Sequence, residues 1–257
     1  MRRSAGAVLA VLALASASAG ASASRPVLAL TATPTRVTLA GAQRATLAVT
    51  NPGSRPVVVD VGRAGFVLDK RGRPHIAPRD APRAATAWVS VRPARFLLPP
   101  GATRALTVLS RPPRRAEPGD HDALVLLTTR PRHGAGVAVR MRIGVLVVVR
   151  APGRIVRRLA VGPVHVVRHR QARVLELLLV NRGNVTERLR RGSVRVTLVR
   201  GAMRPTLRAG AREIRPQTSA VLPLPVRRNI RGWFTARVEV ASEALRPVVV
   251  RTFRIRL

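Results

Sequence analysis

The sequence predicts an all-β chain folded as two immunoglobulin-like β-sandwiches in tandem, and three observations carry that prediction. One strand rhythm occurs twice. Residues 45–51 read Ala-Thr-Leu-Ala-Val-Thr-Asn and run into Pro52-Gly53; residues 174–181 read Val-Leu-Glu-Leu-Leu-Leu-Val-Asn and run into Arg182-Gly183. In each copy a Pro-marked turn then opens a second apolar run, residues 105–109 and 220–224, and a glycine opens a third, Gly119 before 123–127 and Gly232 before 234–240. The apolar residues, 46% of the chain, are rich in Val and poor in aromatics, and β-branched side chains favour strands over helices. The length of 257 residues admits two ordinary domains, and short strands between regular turn signals are the pattern of sandwiches.

Taken in order, residues 1–23 read as a secretory leader: Arg2-Arg3, an apolar stretch over 5–15, and a small-x-small site at Ala21-Ser22-Ala23. That stretch is shorter than the ~20 residues of a spanning helix, and no later segment is long and apolar enough to span. Residues 24–150 are assigned to the first sandwich. Its first strand covers 27–30 and 36–39 with a break at Pro34, as suits an edge strand. Strands follow at 45–50 and 57–61, then a polar connection over 62–86 with one apolar patch at 66–68. Further strands are expected at 87–91 with Trp88, at 103–109, at 122–129 and at 137–149. The last places Val137, Val139, Met141, Ile143, Val145, Val147 and Val149 on one face and Arg140 and Arg142 on the other. Ala151-Pro152-Gly153 is the expected linker. Residues 151–257 are assigned to the second sandwich, with strands at 155–167, 174–181, 194–200, 206–208, 221–226, 234–240 and 248–257. In the last of these Phe253, Ile255 and Leu257 point inward and Thr252, Arg254 and Arg256 outward.

The chain carries 47 basic and 11 acidic residues, a formal net charge of +36, and losing the two leader arginines takes +36 to +34. Only Lys70 is a lysine. A field of this size attracts polyanions, which for an exported bacterial protein are anionic wall polymer, acidic lipid surfaces or acidic envelope proteins. The compartment and the scarcity of stacking aromatics argue against nucleic acid. With no Cys there is no disulfide framework. The outward arginines, Arg140 and Arg142 or Arg254 and Arg256, are the candidate polyanion- or partner-binding residues. The acidic residues mostly neighbour an arginine and are expected in surface ion pairs of small worth.

No nucleophile elbow, phosphate loop, dinucleotide fingerprint or zinc-protease motif is present, so the chain reads as a non-enzymatic binding protein without cofactor or metal. His121, two residues after Gly119, reads as a corner side chain that packs or hydrogen-bonds at the start of a strand. His165 and His169 share a strand face but lie ~13 Å apart, too far to chelate one ion.

Several stretches resemble periplasmic pilus chaperones of the PapD type: Pro34-Thr35-Arg36-Val37-Thr38-Leu39, residues 47–51, residues 97–109, and the long alternating strand before a Pro-containing linker. The resemblance implies a basic pair in the cleft between domains that grips a client C-terminus, and an alternating apolar strand lent to that client. Arg36 matches the first basic position; the second would be a lysine near Leu146, where the sequence has none. The chain also resembles WxL-interacting cell-surface proteins, with a leader, an Asn-x-Gly after the second strand of the first domain, and a second sandwich. That resemblance implies recognition of wall polymer. The expectation is an exported cell-envelope scaffold that binds wall polymer or a surface protein, with pilus-type chaperoning as the alternative.

Overall fold

The computed structural model describes residues 28–130, 139–169, 172–242 and 245–257. The predicted leader and Val137 lie outside the described residues, as does the side chain of His169. Among the described residues there are nineteen strands and no helix, so none crosses a membrane as a helix. Two separate apolar cores account for the architecture, one drawn from residues between Leu30 and Val149 and one from residues between Leu159 and Leu257.

The first sandwich holds β1 (Thr31–Thr33), β2 (Arg36–Ala40), β3 (Arg44–Thr50), β4 (Val57–Leu68), β5 (Pro74–Ala77), β6 (Val89–Arg92), β7 (Arg95–Leu98), β8 (Thr103–Ser110), β9 (Gly119–Thr129) and β10 (Arg142–Ala151). One sheet runs β1-β3-β8-β6 and the other β2-β10-β9-β4-β5, with β7 also on β4. The chain therefore changes sheets at Pro34. β1 pairs antiparallel with β3, and two residues after a cis Thr33-Pro34 bond β2 pairs parallel with β10. Period-2 alternation buries Leu47 and Val49 from one sheet against Val145, Val147 and Val149 from the other, each at 0% exposure.

The second sandwich holds β11 (Leu159–His169), β12 (Ala172–Asn181), β13 (Glu187–Leu189), β14 (Val194–Val199), β15 (Thr206–Arg208), β16 (Arg212–Ile214), β17 (Ser219–Val226), β18 (Trp233–Ser242) and β19 (Leu245–Arg256). Its sheets run β11-β12-β17 and β15-β14-β18-β19, with a short β13-β16 pair. Leu175, Leu177 and Leu179 of β12 face Val196, Leu198, Ala236 and Val238 across the core. Ile255 and Leu257 are buried and Arg254 and Arg256 exposed, as the alternation requires.

Three departures from the sequence reading have physical causes. The 62–86 segment is not all connection, because β4 runs on to Leu68 and folds back as a hairpin with β5. This hairpin is rich in Arg, Gly and Pro and buries little, so hydropathy does not mark it. The strand placed at 155–167 begins at Leu159, since Ile155 and Val156 lie exposed across the junction between the sandwiches. The strand placed at 137–149 begins at Arg142 and ends at Ala151. Its partner β9 stops at Thr129, and the chain then reads Arg130-Pro131, where Pro131 has no amide hydrogen to offer. Arg140 accordingly precedes the strand, and Val139 is 56% exposed rather than inward.

Candidate functional site

Two adjoining features form the site: one edge of β10 and the junction where the first sandwich meets the second. The edge follows from register. β10 is paired along one side with β9 from Arg142 to Ala151, but β2 covers its other side only from Leu146 to Arg150. Leu146 donates its amide to Thr35 across that side. Backbone groups alternate sides along a strand, so Arg142 and Gly144 turn their N–H and C=O the same way as Leu146, toward an edge that no strand of the described chain occupies. Met141 and Ile143 are half-buried on the core side of this stretch. On the other face lies a groove of about 350 Å³ walled by Leu124, Leu126, Gly144, Leu146 and Phe66, with Arg142 at its side. An unpaired edge flanked by apolar surface on both faces is what an incoming strand needs: main-chain partners for affinity and pockets for alternate side chains.

Arg36 begins β2 directly opposite Leu146. Its Nη1 donates to Oε1 of Glu213, on β16 of the second sandwich, and Arg188 Nε lies 3.1 Å from the same oxygen. The cleft cation that the sequence singled out therefore already has a carboxylate partner inside its own chain. Arg254 and Arg256 are exposed on β19 of the second sandwich; the Arg254 guanidinium sits 5.0 Å over the Trp233 ring. Arg142 joins Arg36 along the β10 edge and Arg140 is exposed just before it, while the other pair sits on β19 of the second sandwich.

At the junction the acidic residues do something the sequence did not reveal. Asp60 behaves as expected, an exposed carboxylate shared by Arg95, at 2.7 Å, and Arg130. Asp120, Asp122 and Glu187 are instead buried, at 2%, 7% and 0% exposure. Asp120 accepts Arg150 Nε at 2.7 Å and, across the junction, the Thr186 amide at 2.9 Å. Burial pushes its carboxyl up, but these donors outweigh it and hold the group below the usual aspartate value. Asp122 lies 2.7 Å from Arg215 Nη2 of the second sandwich. Here burial wins over the arginine's attraction and raises the carboxyl to about 7. Arg215 is 4% exposed, donates to Thr186 Oγ1 at 3.1 Å and stacks over Phe66. Glu187, held by Arg157 at 3.1 Å, is likewise pushed up by burial.

Asn184 ties the two halves by its backbone and side chain together. Its carbonyl accepts the Asp120 amide at 2.8 Å and Arg83 Nη2 at 3.4 Å, while its side chain bonds Val156 N and Arg154 O on the connecting segment. Gly119 makes this approach possible. It has φ +108°, and a Cβ there would stand 2.0 Å from the Asn184 carbonyl oxygen. The sequence showed Gly119 as a strand opener; the partner that makes a glycine necessary is 65 residues away.

No protein-family model matches the chain, and no curated protein matches it. Solved structures do. A chain from a chaperone–tip adhesin complex of CFA/I fimbriae superposes with a TM-score of 0.52 at 11% identity, covering 87% of this chain and 98% of that one. The class 5 fimbriae chaperone CfaA superposes at 0.51 and 10% identity, covering 89% of this chain and 100% of that one. Likeness at this level of identity shows the fold: two immunoglobulin-like domains arranged as in PapD-like fimbrial chaperones.

Proposed function

We propose that this chain is an exported, non-enzymatic chaperone-type binding protein of the bacterial envelope. Its client is a protein segment that adds as a strand to the open edge of β10. The observation that carries the reading is the half-covered strand itself: Arg142 and Gly144 present unpaired backbone groups, with Met141 and Ile143 on one face and the Leu124–Leu126–Leu146 groove on the other. A strand laid there would gain ladder hydrogen bonds and bury alternate apolar side chains on both faces. The fold likeness to chaperones of fimbrial subunits supports the same reading.

The anchoring differs from what the PapD resemblance implies. Arg36 is paired with Glu213, and the sequence has no lysine near Leu146, so Arg36 is not a free cation for a client carboxylate and the second basic position of that family is missing. Recognition rests on the ladder and the groove. The fold likeness to fimbrial chaperones favours a protein client over wall polymer.

The chain has no Cys, so a single introduced cysteine is a clean attachment point for a photo-crosslinker. A label on Arg142→Cys should capture one discrete exported protein from the native envelope, and a label on Arg254→Cys should not. Equal capture at both positions, or none at Arg142, contradicts strand addition at β10.

A further inference from the structure

The second sandwich holds a pocket of about 210 Å³ lined by Arg173, Arg228, Arg231 and Val226. It lies at the end of that sandwich away from the seam, because residues 173 to 181 of β12 span ~26 Å between it and Asn181. Val226, paired with Arg173 across β12 and β17, is buried and supplies the apolar wall. Arg173 Nη1 donates to the Ile230 carbonyl at 2.9 Å, which fixes that guanidinium. Arg228 and Arg231 come from the turn between β17 and β18, and that turn is pinned. The Ile230 amide donates to the Arg227 carbonyl at 3.1 Å, and Gly232 and Leu257 exchange both backbone hydrogen bonds at 2.9 Å each. The Arg228 and Arg231 guanidiniums make no hydrogen bond or ion pair among the described residues.

The charge gathered here is of one sign. Arg168 stands directly opposite Arg173 in the β11–β12 ladder, so the two side chains leave on the same face, where like charges repel. The described carboxylates of the second sandwich are engaged elsewhere: Glu176 with Arg71, Glu187 with Arg157, Glu213 with Arg36 and Arg188, and Glu239 with Arg195 and Arg237. An anion from outside the chain offsets the repulsion, and the donor set says which kind. A guanidinium only donates and keeps its charge at any working pH. One such fork matches both oxygens of a carboxylate. Three forks around one pocket match a group with more oxygens and more charge, and a phosphate monoester carries about −1.5 to −2 at pH 7 on three acceptor oxygens. We propose that this pocket binds a phosphate group as its dianion, the oxygens shared among Arg173, Arg228 and Arg231. A soluble phosphate ester and a lipid headgroup offer the same chemistry.

The test is a titration of the full chain with inorganic phosphate, read from backbone amide shifts in ~0.15 M sodium chloride, where screening beyond about 8 Å suppresses diffuse attraction. Arg173, Arg228 and Arg231 should shift together and saturably, with a Kd of ~1 mM or tighter, and acetate should bind at least ~10-fold more weakly. The double change Arg228→Ser with Arg231→Ser should weaken phosphate binding at least ~10-fold. Its urea midpoint should be unchanged or higher, since like charges have been removed at exposed positions. Arg140→Ser, in the other sandwich, should change nothing. No saturable shift up to ~50 mM, equal binding of phosphate and acetate, or insensitivity to the double change each overturn the proposal. Co-sedimentation with phosphatidylcholine vesicles carrying about one part in ten phosphatidic acid then separates the sources. Vesicle binding lost in the double variant assigns the pocket to a lipid headgroup. Vesicle binding that is absent, or that the double change leaves intact, assigns it to a soluble phosphate. None of these outcomes bears on client capture at β10.

Discussion

Asn51 and Asn181 make the same three bonds in the two halves of the molecule. Each donates Nδ2 to the carbonyl four residues on and to a neighbouring strand, at 2.8 and 3.0 Å in both cases. Each accepts the amide of the glycine two residues later, Gly53 at 3.0 Å and Gly183 at 2.9 Å. Both are buried, so truncation strands two carbonyls and an amide. Asn181→Ala should cost about 3 kcal/mol in urea unfolding, and a loss below about 0.5 kcal/mol contradicts this account of the repeat. This motif was legible because its first bond and its turn are local. Asp120 and Asp122 were not legible: they sit two residues apart, yet partners 30 and 66 residues away hold the first ionised, while burial drives the second toward neutrality. A carboxyl raised from 3.8 to about 7 binds a proton in the folded chain that the unfolded chain has released. Asp122 therefore favours folding at low pH, and that advantage is lost as pH rises through this window. Asp120, shifted downward, adds stability above 3.8 and loses it as pH falls further. Asp122→Asn should flatten the pH dependence of the urea midpoint between about 4 and 7, and an unchanged slope contradicts the assignment.

At the scale of the strand, period-2 alternation told which side chains are inward but not where pairing stops. In β9, Leu127 is fully buried in the first core while Leu126 looks outward into the groove beside β10. Leu127→Asp should unfold the first sandwich, because it buries an unpaired charge. Leu126→Asp should leave the unfolding midpoint within about 0.5 kcal/mol of wild type and weaken client binding at least ~10-fold, read from complex formation with the captured client. Comparable destabilisation by both changes contradicts the two-face reading. The alternation of β10 was visible in the sequence over 143–149. Its open edge was not, because that depends on β2 beginning only at Arg36, a register between strands 110 residues apart.

The whole molecule places much of its scarce negative charge at the seam between its halves. In a chain of +36, Asp120, Asp122, Glu187 and Glu213 bind arginines there, three of them buried. The two-sandwich architecture could be read from the repeated turn order; the seam could not, since Arg36 and Glu213 are 177 residues apart. Gly119→Ala should disturb this seam, through both the positive φ and the 2.0 Å approach to Asn184. The expected result is faster proteolysis between residues 152 and 158 with each sandwich still folded, and an unchanged cleavage rate contradicts it. The claim that gives the molecule its purpose is that a client strand completes β10. Backbone amide exchange at Arg142 and Gly144, compared between the free chain and its purified client complex, tests it most directly. The account predicts fast exchange at both in the free chain, against slow exchange at Leu146, and at least ~10-fold slowing at both in the complex. A complex in which these two amides exchange as fast as in the free chain contradicts it.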